Sequence, residues 1–142
     1  MTIAIILQGR EGGVFTASPD ELVETVAARL AEKRIGALPI VDGSRVIGIF
    51  SERDVIYGLA AHGAAMMEKR VSDVMTAPAI VVAPDTPVLS ALSLMTRRRI
   101  RHLPVVEGDQ ITGFVSIGDL VKYRIEKIEA EASAMRDYIQ TA

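Results

Sequence analysis

The 142 residues suffice for one domain with a packed core, and 49% hydrophobic with 24% charged residues is the composition of an ordinary folded chain rather than a disordered or fibrous one. A formal net charge of −2 argues against broad nucleic-acid affinity, which draws its strength from neutralised phosphates. Without cysteine there is no disulfide framework or thiolate metal site, and two histidines far apart supply no metal cluster, so a cytoplasmic setting fits best.

The amino terminus, MTIAIILQGR, has no basic residue ahead of its apolar run, which is too short for a signal-peptide core. No apolar stretch reaches membrane-spanning length, so neither a targeting segment nor a span is expected. After the run at residues 3–7, Gly9 and Gly12-Gly13 lead to a brief β-like Val14-Phe15-Thr16. Ser18-Pro19-Asp20-Glu21 then reads as a helix start, with Ser18 as cap, Pro19 at the first helical position and Glu21 as the capping-box carboxylate. Val23, Val26, Ala27 and Leu30 continue it as one apolar stripe.

A hairpin follows: residues 37–41, a turn at Asp42-Gly43-Ser44, and residues 46–50. Pro39 cannot donate to a ladder, so its strand must start at an edge or against a non-backbone partner, and an edge with a gap is a candidate place for a ligand. From Ser51 a helix runs to about Ala61 and ends at His62-Gly63. Each unit is therefore expected as short strand, helix, strand, strand, helix.

The pattern then repeats. Pro39 returns as Pro104 (104 − 39 = 65), and the same offset pairs Pro19 with Pro84, Asp20 with Asp85, Gly43 with Gly108, Gly48 with Gly113, Ser51 with Ser116 and Asp54 with Asp119, without a gap. So many special residues held in phase mark an internal duplication. Upstream, Ile6 matches Val74 at an offset of 68, so the first copy carries a three-residue insertion near residues 10–13. The expected organisation is a first repeat at 1–63, a linker at 64–70, a second repeat at 71–124 and a helical extension at 125–142.

In that extension Val121, Ile125, Ile128, Ala132, Met135 and Ile139 are spaced 4, 3, 4, 3, 4, a heptad seam too short for an isolated coiled coil. It must pack on its own domain or on the same helix of a second chain. The dimer is favoured because the extension has no internal mirror to pack against.

Asp-Val-Met-Thr at 73–76, Leu-Pro-(Ile/Val)-Val at 38–41 and 103–106, and Gly-x-x-Ser-x-x-Asp at 48–54 and 113–119 resemble the CBS domain, the repeat named after cystathionine β-synthase. The resemblance covers a tandem pair spanning almost the whole chain. It implies an α/β (α+β) fold of two βαββα repeats packed sheet against sheet about a pseudo-twofold, often paired further into a flat disc. It also implies adenosine-containing ligands (AMP, ADP, ATP, NAD(H), S-adenosylmethionine) in clefts between the repeats, and a sensor or regulatory role.

Taken as residues alone, Ser51 with Asp54 and Ser116 with Asp119 are equally well explained as helix caps. The resemblance adds ribose binding by Asp54 and Asp119, with Ser51 and Ser116 toward the phosphate. Arg97, Arg98, Arg99, Arg101 and His102 form the densest basic cluster; cations at a helix end explain part of it, and the resemblance assigns Arg101 and His102 to phosphate. The first copy has Gly36-Ala37 there and offers Arg53 instead, so two unequal sites are expected.

An apolar adenine slot is expected from Thr16, Ala37, Pro39, Thr76, Ile80, Val82 and Pro104, although Ile80 and Val82 also read as plain core. There is no Walker loop, no dinucleotide fingerprint and no nucleophile with an obvious base, so no enzyme is expected; His102 as a general base is weaker than a packed or phosphate-facing histidine. The leading reading is a homodimeric adenine-nucleotide sensor acting on an unidentified client protein. The alternatives are an interaction domain without a nucleotide and, weakest, a nucleic-acid regulator using residues 97–102.

Overall fold

The computed structural model describes residues 1–10 and 12–141. Its elements are α1 (Ile3–Leu7), α2 (Val23–Lys33), β1 (Ala37–Asp42), β2 (Arg45–Ser51), α3 (Glu52–His62), a 3-10 turn (Gly63–Glu68), α4 (Val71–Val74), α5 (Val88–Arg98), β3 (His102–Glu107), β4 (Gln110–Ser116) and α6 (Ile117–Thr141). The apolar stripes bury as their spacing requires: Val23, Val26 and Leu30 of α2, and Val88, Ala91 and Met95 of α5.

Helix α2 starts later than Ser18. Residues 18–21 form a turn in which the Glu21 carboxylate accepts the Ser18 N–H at 2.9 Å and is clamped by Arg29 at 2.6 Å. The backbone beyond is already engaged: Val23 N–H donates to the Lys69 carbonyl and Val71 N–H to the Glu21 carbonyl, so the cap, Leu22, stays extended. The second copy does the same. Thr86 Oγ1 accepts the Ala83 N–H, Ile3 N–H donates to Thr86 and Val88 N–H to Met1.

Each sheet is one antiparallel hairpin, β1 with β2 and β3 with β4, with matching register irregularities at Ile40/Val41 and Val105/Val106. The expected strand at residues 14–16 shrinks to a single parallel bridge, Ala17 to Ile40, mirrored by Val82 to Val105. Prolines account for this. Ala17 donates to the Pro39 carbonyl and accepts from Val41; lengthening that parallel ladder would require donation from residue 39 at one end and from residue 19 at the other. Both are proline, and Pro104 and Pro84 repeat the block in the second copy.

Two hydrophobic cores result, and they do not follow the sequence repeats. Ile3 of α1 is fully buried in the core built by Val88, Ala91, Met95, Leu103, Val115 and Leu120, whereas Met66 and Val71 are buried with Val23, Val26, Leu38 and Phe50. Each short helix thus packs on the other copy's sheet. Gly48 makes that docking possible: a Cβ there would stand 2.6 Å from Met75 Sδ and 2.9 Å from the Thr76 carbonyl oxygen. Gly113 receives Leu7 in the same way.

Helix α6 runs for 25 residues, but its only buried residue is Leu120. Ile128, Met135 and Ile139 of the heptad seam are 47%, 60% and 65% exposed, so docking within the chain leaves the seam uncovered. No helix among the described residues is long and apolar enough to cross a membrane.

Candidate ligand clefts

Both strand-to-helix steps are closed by the same reciprocal pair. In the first copy Asp54 Oδ2 accepts the Ser51 N–H at 2.9 Å while Ser51 Oγ accepts the Asp54 N–H at 3.3 Å. In the second, Asp119 Oδ2 accepts the Ser116 N–H at 2.8 Å and Ser116 Oγ accepts the Asp119 N–H at 3.1 Å. This is the capping-box arrangement, and it fixes each carboxylate through one oxygen. The second oxygen differs between the copies: Asp54 Oδ1 accepts from Thr76 Oγ1 at 2.9 Å, whereas among the described residues Asp119 Oδ1 carries no hydrogen bond.

Each carboxylate opens into its own cleft. A cavity of about 480 Å³ holds Asp119 and Ser116 together with Arg10, Phe15, Ala37 and His102. A second of about 440 Å³ holds Asp54 and Ser51 together with Arg53, Thr76, Arg101 and His102. Both volumes lie in the range of small-ligand sites. Each cleft draws on both copies, because the short helices and the residues after α2 and α5 cross between them.

His102 borders both clefts. Its ring stacks on Phe114 with centroids 5.5 Å apart and planes 12° from parallel. Burial pushes its pKa below the ordinary histidine value, and Arg101 pushes the same way, against the opposing pull of Asp119 and Glu52. For Asp119, burial acts to raise the carboxyl, but the Ser116 N–H and the Arg10 guanidinium outweigh it and hold the group below its usual range.

The structure therefore brings together nine of the residues singled out from the sequence: Ser51, Arg53, Asp54, Thr76 and Arg101 in one cleft, Ala37, Ser116 and Asp119 in the other, and His102 in both. Thr16, Pro39, Ile80, Val82 and Pro104 line neither. Val82 is buried in the second core with Ile80 packed against it, Pro39 and Pro104 are spent on the bridges described above, and the Thr16 carbonyl accepts from Arg29 on the outer side of α2. Of the seven residues expected to form an adenine slot, Ala37 and Thr76 line the clefts and these five do not.

Three cleft arginines were not assigned to a cleft from the sequence: Arg10 and Arg34 were not singled out as site residues, and Arg99 entered only as part of the basic cluster at residues 97–102. Arg34 and Arg99 close α2 and α5 in the left-handed conformation, both at φ 54, and line opposite clefts. Their shared repeat offset was the available signal. Arg10 had none, since it falls where the repeat register is expected to break. It forms an ion pair with Asp119 at 3.0 Å and donates to the Phe114 carbonyl at 3.0 Å. No group of three or more potential metal-binding His, Asp or Glu side chains occurs among the described residues.

The CBS domain model matches residues 12–61 and 71–126. The chain is 33% identical over 135 residues to the CBS domain-containing protein CBSX3, mitochondrial, of Arabidopsis thaliana, covering 92% of this chain and 66% of that relative, just under two thirds of its length. The crystal structure of the CBS-domain containing protein ATU1752 from Agrobacterium tumefaciens superposes with a TM-score of 0.82 at 34% identity, covering 87% of this chain and 99% of that one. The CBS domain pair of protein MJ0100, in complex with 5-methylthioadenosine and S-adenosyl-L-methionine, gives a TM-score of 0.78 at 26% identity over 89% of this chain and 98% of that one. With two profile matches spanning most of its length and a shared pair architecture, the chain belongs to the CBS domain family.

Proposed function

We propose that this chain is a non-catalytic regulatory module that binds an adenosine-containing ligand, AMP, ADP, ATP or NAD(H), in its two clefts. The observation that carries the reading is the pair of carboxylates: Asp54 and Asp119 are each fixed through one oxygen by a helix cap, at the mouth of a cleft that also contains arginine. A fixed carboxylate accepts from the vicinal hydroxyls of a ribose, and the nearby cations meet the phosphate. The ligands held by the MJ0100 pair, both adenosine derivatives, support the same class here. In this reading Asp54 and Asp119 bind ribose, Ser51, Arg53, Arg101, His102 and Ser116 face phosphate, and Ala37 and Thr76 border the base.

The module acts as a homodimer through the exposed seam of α6, in the cytoplasm, and passes ligand occupancy to a client protein. One observation favours a second reading: the same seam would serve an interaction domain that uses no nucleotide.

Isothermal titration with AMP, ATP and NADH, repeated on Asp54→Ala and Asp119→Ala, separates the two. Site-by-site weakening of about tenfold or more is expected, from the loss of charge-assisted hydrogen bonds. Folded, ligand-free protein that gives no heat with any of the three would favour the interaction domain.

A further inference from the structure

The two clefts use different chemistry at equivalent places. In one, Thr76 serves twice: its N–H donates to the Ile49 carbonyl at 2.8 Å and its hydroxyl to Asp54 at 2.9 Å. In the other, Phe114 stands in the place of Ile49 and Asp119 in that of Asp54, and a single side chain serves both. Arg10 Nη1 donates to the Phe114 carbonyl and Nη2 pairs with Asp119 Oδ2. The substitution adds a full positive charge to one cleft that Thr76 does not bring to the other.

That charge is placed where it can change partner. Arg10 and Asp119 are only partly covered, with side chains 39% and 35% exposed. Gly9 and Gly12, on either side of Arg10 in sequence, both have positive φ and open space around them, so neither glycine is held by close packing. A ribose whose two vicinal hydroxyls take both oxygens of Asp119 competes with the guanidinium at Oδ2, the oxygen that Arg10 holds. Arg34 lines the same cleft, where Asp119 is the one carboxylate among the described lining residues. A displaced Arg10 would therefore share the cleft with Arg34, a like charge that an anion brought by the ligand would offset.

Resting on the reading of these clefts as nucleotide sites, we propose that Arg10 is a specificity-determining residue: it neutralises Asp119 and, when a ribose takes that carboxylate, transfers to the ligand's phosphate. This cleft thereby selects phosphorylated adenosine compounds over the uncharged nucleoside. The Asp54 cleft lacks this exchange, because its carboxylate is met by a neutral hydroxyl.

The test compares AMP with adenosine by titration calorimetry on the full chain carrying Asp54→Ala, which removes the ribose carboxylate of the other cleft. AMP should bind on the order of tenfold or more tighter than adenosine. Adding Arg10→Gln, which keeps an N–H donor but no charge, should collapse that preference, weakening AMP while leaving adenosine unchanged or tighter. Arg10→Lys, which keeps the charge, should retain most of it. A preference that survives Arg10→Gln, a parallel loss of both ligands, or a preference absent from both Gln and Lys variants overturns the proposal. If wild-type protein binds neither AMP nor adenosine, the nucleotide reading itself fails and takes the proposal with it, an outcome visible before any Arg10 variant is made.

Discussion

Thr76 and Asp54 belong to different copies of the repeat, yet the Thr76 hydroxyl donates to Asp54 Oδ1 at 2.9 Å and the Thr76 backbone pairs with Ile49 in both directions. The loop that follows α4 is thus stitched to the strand-to-helix step of the other copy. The sheet glycine below it and the carboxylate above it act as one unit: Gly48 permits the approach, and Asp54 receives what arrives.

Replacing Thr76 with Val keeps the β-branched shape and the backbone pairing but removes the donor to Asp54. Urea denaturation should show a loss of roughly 0.5–1.5 kcal/mol, the usual net worth of such a bond at a partly exposed site. A variant as stable as wild type would mean that the hydroxyl contributes nothing to joining the copies.

Gly48→Ala should cost more than Gly113→Ala. A Cβ at 48 meets the Thr76 carbonyl oxygen at 2.9 Å, and that backbone is pinned by its pairing with Ile49. At 113 the nearest atoms are the methyls of Leu7, at 2.6 Å and 2.9 Å, on a side chain that can rotate away. Overpacking of about 1–3 kcal/mol is expected at 48 and less at 113, read as the shift in denaturation midpoint. Equal costs would show that the backbone contact does not decide the difference.

How far these features were legible depends on whether the duplication carried them. Paired hairpins, buried stripes and the two Ser-x-x-Asp caps recur at one offset, and each copy vouched for the other. The same regularity misled at Ser18-Pro19-Asp20-Glu21, whose local signals suit a helix start; a long-range pairing with residues 69–71 claims its backbone, and nothing nearby in sequence announces that. The exchange of α1 and α4 between cores was invisible for a related reason. Periodicity says that Ile3 and Val71 are buried, but not in which copy. Arg10 falls where the expected insertion breaks the repeat register, so no second copy pointed to it.

His102 makes stability depend on pH in a direction that can be worked out. Its folded pKa lies below the ordinary value, so as pH falls through about 6.5 the unfolded chain takes up a proton before the folded one does. The stability it contributes is full above that value and is lost down to the lower folded pKa. Asp119 adds a separate loss at more acid pH, from about 3.9 downward, because its folded carboxyl is also depressed. Thermal melts from pH 8 down to about 3 should fall toward acid, and His102→Gln should flatten the limb between about pH 8 and 5 while leaving the one below about pH 4. A slope unchanged by His102→Gln would place the titrating group elsewhere.

The last prediction concerns α6. Ile125, Ile128, Met135 and Ile139 form an exposed seam flanked by Glu126, Lys127, Glu129, Glu131 and Arg136, the pattern of a helix that meets a copy of itself. Apolar surface of this kind contributes about 25 cal/mol per Å² when covered, and a charge placed in the seam must be desolvated without a partner if the seam closes. Sedimentation equilibrium of wild-type protein at micromolar concentration should therefore report a dimer, and Ile128→Glu with Met135→Glu should give a monomer whose helical circular dichroism is otherwise preserved. A wild-type monomer at that concentration, or a dimer indifferent to both glutamates, would remove the seam as the contact.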